Sequence, residues 1–190
     1  MEVLTGVFSA FGLSASAGLN AYIPLLVVAL TARYTDLIKL YQPWDTLTNG
    51  WIIGLLLILL VIEIFADKVP AINHINDVIQ TIVRPVAGAI VFAASAQVFS
   101  ELHPVLAMGS GILVAGSVHA AKSVAVRPVV TATTGGTGNI AVSTIEDVTA
   151  TVTSIIAIVI PLLFLLIALV IGVWIIYKLW TKNNRQREEV

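Results

Sequence analysis

Residues 61–90, VIEIFADKVPAINHINDVIQTIVRPVAGAI, set Glu63, Asp67, Lys68, His74, Asp77 and Arg84 between two long apolar runs. Ionisable groups beside or inside lipid-facing segments are costly to bury, so each is a functional suspect. Pro70 and Pro85 fall in the same stretch and are expected to interrupt their helices, because proline has no backbone N–H to donate. The rest of the chain has the composition of a membrane protein. Of 190 residues 58% are hydrophobic and 11% charged, with mean hydropathy +0.98. A soluble domain carries about 25% charged residues, so roughly half the solvating charge is missing. A net charge of −1 argues against nucleic acid as a partner. The lack of cysteine excludes disulfides, Cys-ligated zinc and iron–sulfur clusters, and no cofactor is expected.

Outward from this stretch, hydropathy divides the chain into about five apolar segments. That predicts an all-α, polytopic transmembrane helix bundle with at least one segment broken or re-entrant. The first segment, Val3–Ala32, is ~45 Å long as a straight helix, beyond a hydrocarbon core of ~30 Å. Ser14-Ala-Ser-Ala-Gly-Leu-Asn20-Ala-Tyr22-Ile-Pro24 supplies a place to break. Small residues there permit close helix contact, Gly18 and Pro24 loosen the helix, and Asn20 can bond exposed backbone. A discontinuous helix and a span kinked at Pro24 both fit. Arg33–Asn49 is a polar connection carrying aromatic residues in the manner of an interfacial belt, and Trp51–Ala66 is the second segment. Val69–His74 reads as a tight turn, Ile75–Ser100 as the third segment and Glu101–Pro104 as the next turn. Val105–Val126 is the fourth segment, Thr131–Asn139 a Gly/Thr loop, and Ile145–Ile176 the fifth. One transmembrane domain is expected over residues 1–180, followed by a polar tail at 181–190.

Val3–Leu13 followed by Ala15-Ser16-Ala17 imitates a secretory signal. Glu2 stands where a signal needs Lys or Arg, so the segment is expected in the mature protein. Lys178, Lys182, Arg185 and Arg187 follow the last segment and place the C-terminus in the cytoplasm. Five full crossings would then leave Lys122 and Arg127 outside, against that rule, and a re-entrant segment would remove the conflict. An internal echo pairs Ile75–Ile82 with Ile145–Val152 and, more weakly, Ala17–Ala21 with Ala115–Ala120. Transporters often contain such paired repeats, although short Val/Ala-rich matches also arise by chance.

The motifs S-A-x-A-G-L-N-A-Y-x-P at 14–24, E-x-x-A-D-K-x-P at 63–70 and R-P-x-A-G at 84–88 resemble the prokaryotic membrane family catalogued as domain of unknown function 4126. Glu146-Asp147 before a long apolar helix also fits, and the resemblance spans about residues 5–165. It implies a multi-pass protein of the prokaryotic cytoplasmic (inner) membrane and no particular activity.

Candidates for ion or substrate contact are Glu63, Asp67, Asp77, Arg84, Asn20, Asp147 and His119. Glu63 and Asp67 are four apart and share a helix face, where they either hold a cation or proton or form an interfacial pair neutralised by Lys68. Asp77 and Arg84 share a face but lie ~10 Å apart along the axis. Arg84, the basic residue deepest in apolar sequence, serves either as an anion ligand or as a salt bridge to Glu63 or Asp147. Ser143–Glu146 reads as a capping box. Asp147 then favours the positive helix end or faces a pore, and Asn73 and Asp77 would cap the third segment. His119 is a satisfied hydrogen-bonding residue or a proton relay, and Lys122 snorkels to the interface. His74, Asp77 and Asp67 have only loose metal-ligand spacing, so no metal is expected. The loop TTGGTGN lacks the G-K-[ST] ending of a phosphate loop. No nucleophile–base pair has recognisable spacing, so the protein is not expected to be an enzyme.

These features lead to a small integral membrane transporter or channel-like protein that moves a small ion or polar solute by way of intramembrane carboxylates. One alternative is a flippase for an anionic lipid of the polyprenyl-phosphate type, with Arg84 and helix N-termini holding the phosphate. The other is a non-transporting subunit or scaffold of a larger membrane complex. The expected partners are the lipid bilayer and, through small residues at 14–18 and 107–117, a second copy of the chain or a larger complex.

Overall fold

The computed structural model describes residues 2–68, 70–97, 103–161, 167, 170–174 and 177–178, with the side chains of 2–5, 70–74 and 97 left aside. Seven α-helices and no strand occur among them: α1 Glu2–Leu19, α2 Tyr22–Tyr34, α3 Gly50–Lys68, α4 Pro70–Gln97, α5 Pro104–Ala121, α6 Arg127–Thr134 and α7 Gly138–Val159. A 3-10 turn at Trp44–Thr48 precedes α3, and a π turn at Lys122–Val126 joins α5 to α6. Four helical stretches are long and apolar enough to cross a membrane: Gly50–Lys68, Ile75–Ala96, Pro104–Thr134 and Gly138–Val159. Their free faces are apolar. On α3, Leu55, Leu57, Ile58, Val61, Ile62 and Phe65 are exposed, whereas Glu63 and Asp67 are buried. That inverts the pattern of a soluble helix and is what a lipid solvent selects.

The first apolar segment is broken at the expected place. Asn20 N–H still bonds Ser16 O at 3.0 Å, which closes α1. Its side-chain Oδ1 then accepts from the N–H groups of Tyr22 and Ile23, both at 3.1 Å, which opens α2. Pro24 is the third residue of α2, where a missing N–H costs little, so it starts a helix and does not kink one.

Contacts fix the helix directions. Ser9, Ser16 and Asn20 of α1 bond Ala157, Ala150 and Asp147 in turn, so α1 and α7 are antiparallel. Ser14 donates to Gly111 O at 2.9 Å and Gly18 lies against Ala115 and Val118, so α1 and α5 run parallel. Arg84 meets His119 while Gly88 meets Gly111, which makes α4 antiparallel to α5. At the end of α2, Arg33 donates to Thr48 O at 2.7 Å just before α3 begins. At the other end of α3, Glu63 bonds Arg84. Hence α1 and α2 form a hairpin with Asn20 at its tip. The tip gathers with the ends of α3 and α5 and the starts of α4 and α7.

Several expectations change at this level. The turn foreseen at Val69–His74 is replaced by helix from Pro70 onward; Val69 lies outside the described residues. Proline at the first helical position has no N–H to waste. Pro85 does not interrupt α4, which continues to Gln97. The Gly/Thr loop shrinks to residues 135–137, with Gly135 and Gly136 at φ +62° and +91°. Since α7 starts at Gly138, Ser143 and Glu146 sit inside it and the capping box is overturned; Asp77 likewise lies inside α4. The fifth segment is not one run: α7 ends at Val159, and Ile160 before Pro161 leaves the helical region at φ −139°, ψ 70°. Many of the small residues at 14–18 and 107–117 make internal contacts, while Gly109 faces open space. Ser14, Ser16, Ala17, Ala107, Gly111 and Ala115 are buried against the chain's own helices.

Candidate functional site

The gathered end holds an ionic cluster with two arginine centres. Arg84, on α4 and fully buried, donates from Nη2 to Glu63 Oε1 at 2.9 Å and lies 3.7 Å from Asp67 Oδ2. Its Nη1 stands 3.3 Å from His119 Nδ1, and His119 Nε2 is 3.2 Å from Thr81 Oγ1. Arg127, on α6, donates to Asp77 Oδ1 and, at 3.1 Å, to Asp67 Oδ2, with Glu146 Oε2 at 3.8 Å. Asn76 donates to the remaining Asp67 oxygen at 2.7 Å. Lys122 Nζ forms an ion pair with Glu146 Oε2 at 2.6 Å and donates to Leu19 O at 3.3 Å, and Asn20 Nδ2 donates to Asp147 Oδ1 at 2.9 Å.

The π turn is what aims two of these cations. Lys122 and Arg127 are five apart, which in an α-helix leaves them about 140° apart around the axis. The i→i+5 repeat brings both to one face, and Arg127 N–H bonds Lys122 O accordingly. Lys122 therefore does not snorkel; it is buried and paired.

Of the residues singled out, Glu63, Asp67, Arg84 and His119 meet in one network. Asp77 faces Arg127 and not Arg84. Arg84 takes Glu63 and not Asp147, which is held by Asn20 at the hairpin tip. Arg127, Lys122, Asn76 and Glu146 were not among the candidates. A signal existed: Arg127-Pro128-Val129 repeats Arg84-Pro85-Val86. The side chain of His74 lies outside the described residues, and Asp67 and Asp77 are both committed to Arg127.

A solvent-open pocket of about 550 Å³ adjoins the cluster, with Asp67, Lys68, Asp77, Arg127 and the Gly135–Gly136 turn in its wall. Carboxylates outnumber cations here. Glu63, Asp67, Asp77, Glu146 and Asp147 stand against Arg84, Lys122, Arg127 and Lys68, five acids to four cations. Deeper in, Glu63 Oε2, Gln80 Oε1 and Arg84 Nε are buried with no hydrogen-bond partner among the described residues. Such an array is costly unless it binds something or rearranges.

Four apolar helices of spanning length around an ionic cluster define a helical membrane protein. The chain belongs to the family described as domain of unknown function (DUF4126), which matches residues 7–181 and so reaches beyond the stretch that carried the resemblance. No curated protein and no solved structure matches it.

Proposed function

We propose that the protein moves a small ion or polar solute across the prokaryotic cytoplasmic membrane, as a multi-pass chain with a cytoplasmic C-terminus and without chemically converting its cargo. The supporting observation is a row of acids leading from the pocket into the bundle. Asp77 is 24% exposed, Asp67 4% and Glu63 1%, with Arg127 and Arg84 between them. Each arginine has a second acid within reach, Asp67 for Arg84 at 3.7 Å and Glu146 for Arg127 at 3.8 Å. Neutralising one carboxylate, by a proton or a bound cation, releases its arginine toward the next. Partner exchange of this kind is the two-state element that passage requires. The excess of carboxylates favours a positively charged cargo or coupling ion. Arg84 has no exposed surface to offer a lipid phosphate, which weighs against the flippase reading.

The test is flux in proteoliposomes under imposed proton, sodium or potassium gradients, with folding followed by circular dichroism. Folded Glu63→Gln and Asp77→Asn variants are expected to leak no more than empty vesicles. Undiminished flux in both sinks the proposal. The short Arg84–Glu63 pair also supports a second role, as a tether in a scaffold protein. Wild-type vesicles silent to every gradient, together with site variants that only lose stability, would select it.

A further inference from the structure

We propose that the pocket beside the cluster binds a small zwitterion, its ammonium group against Asp77 and its anionic group against Lys68. This deepens the transport reading by naming the solute class, and rests on that reading for what happens after binding. The inference comes from which polar groups in the wall still have bonding capacity. Arg127 is held between Asp67 and Asp77, and Asp67 has its two oxygens on Asn76 and Arg127. Ser123 donates to Ala120 O and Asn139 Nδ2 to Thr131 Oγ1; Asn139 Oδ1, neutral, accepts nothing among the described residues. Asp77 differs: Oδ1 meets Arg127, while Oδ2 accepts nothing among the described residues and the side chain is a quarter open. Lys68 differs too, with no carboxylate among the described residues at ion-pairing distance from its ammonium group. Both line the same pocket.

Among the described residues the wall thus offers one open carboxylate oxygen, on Asp77 whose other oxygen meets Arg127, and one ammonium group without a direct bond, on Lys68 near Asp147, in a recess of about 550 Å³. Pockets of ~300–1,000 Å³ bind small organic ligands. A singly charged ligand engages one of these groups and leaves the other without a direct bond, whereas a zwitterion engages both. The chemistry, an ammonium group and an anionic group on one small molecule, is shared by a free amino acid and by an ethanolamine phospholipid headgroup.

Binding is measured by titration calorimetry on the full chain in phosphatidylglycerol nanodiscs. The zwitterionic probes are β-alanine, γ-aminobutyrate and phosphoethanolamine; propionate and propylamine are the single-charge controls. At least one zwitterion is expected to saturate, with both controls weaker by about tenfold or more. Lys68→Gln and Asp77→Asn should each weaken it by about tenfold, and Lys68→Arg should retain it. No saturable zwitterion, equal binding by either control, or binding indifferent to both substitutions overturns the proposal. Loss of phosphoethanolamine binding in nanodiscs containing phosphatidylethanolamine identifies the headgroup as the source. Retention identifies a soluble solute, and either result supports the site. Flux without zwitterion binding defeats this inference alone, and binding without flux defeats the transport reading alone.

Discussion

The two halves of α4, on either side of Pro85, hold their neighbours by different means. From Asn76 to Arg84 the helix meets Asp67, Arg127, His119 and Glu63 through hydrogen bonds and ion pairs. From Ala87 to Ala96 it meets α1 and α5 through shape. Gly88 packs on Gly111 and Ala115, and Phe92 with Ala93 and Ala96 closes on Ala10 and Ala107. Phe11 sets its ring edge-on to Phe92 with centroids 5.1 Å apart. In lipid the apolar half gains little from leaving water, so close packing must supply its stability. The polar half is costly in the same solvent and is kept only where it does something packing cannot. Close packing and ionic contact are thus divided along a single helix.

Substitutions on each side of Pro85 measure that division. The largest effect belongs to Gly111→Val, because a Cβ there would lie 2.7 Å from Ala89 Cα and press on the Gly88 backbone. Backbone cannot yield as a side chain does, so no folded monomer is expected on size-exclusion chromatography. Next comes Glu63→Ala, which leaves buried Arg84 with Asp67 at 3.7 Å as its remaining acid and should cost about 3 kcal/mol, the low end for breaking a buried pair, in thermal or detergent unfolding. The double change Glu63→Leu with Arg84→Met should recover most of that stability while flux stays lost, which separates the tether from the site. Inserting an alanine after Ala125 leaves Lys122 and Arg127 six apart, about 120° around an α-helix, and should swing Arg127 off Asp67 and Asp77. Its unfolding midpoint is expected between those of Glu63→Ala and wild type. The smallest change is Ser16→Ala, which removes bonds to Ala150 O at 2.8 Å and Ser154 Oγ at 2.7 Å. A loss of about 1 kcal/mol is expected, with zwitterion binding unchanged.

Much of the architecture was legible because lipid imposes it: the apolar segments, the tip at Asn20 and the fully buried Arg84 all follow from hydropathy and small-residue content. Glu63 and Asp67 were legible as a pair because helix periodicity is local. Arg127 was not, for two reasons. Five full crossings put it on the non-cytoplasmic side, in conflict with the distribution of basic residues, and its inward aim depends on a π turn that no residue in KSVAV announces. Its partners, Asp67 and Asp77, are 60 and 50 positions away, so only helix packing decides the match. The capping box failed because TTGGTGN turns in three residues, and α7 had already begun when Ser143 was reached.

The tip at Asn20 also bears on biogenesis. Its outward groups find their partners late: Leu19 O waits for Lys122 and the Asn20 amide for Asp147, 103 and 127 positions downstream. While the ribosome is still extending the chain, the first hairpin has been released with an unmatched polar apex. That apex must stay in water or be sheltered by the insertion machinery until α5 and α7 arrive. In nascent chains stalled before residue 122, a cysteine placed at Ala21 should react with a water-soluble maleimide. Stalls well beyond α7 should protect it, and equal labelling at both lengths would rule out this order of assembly.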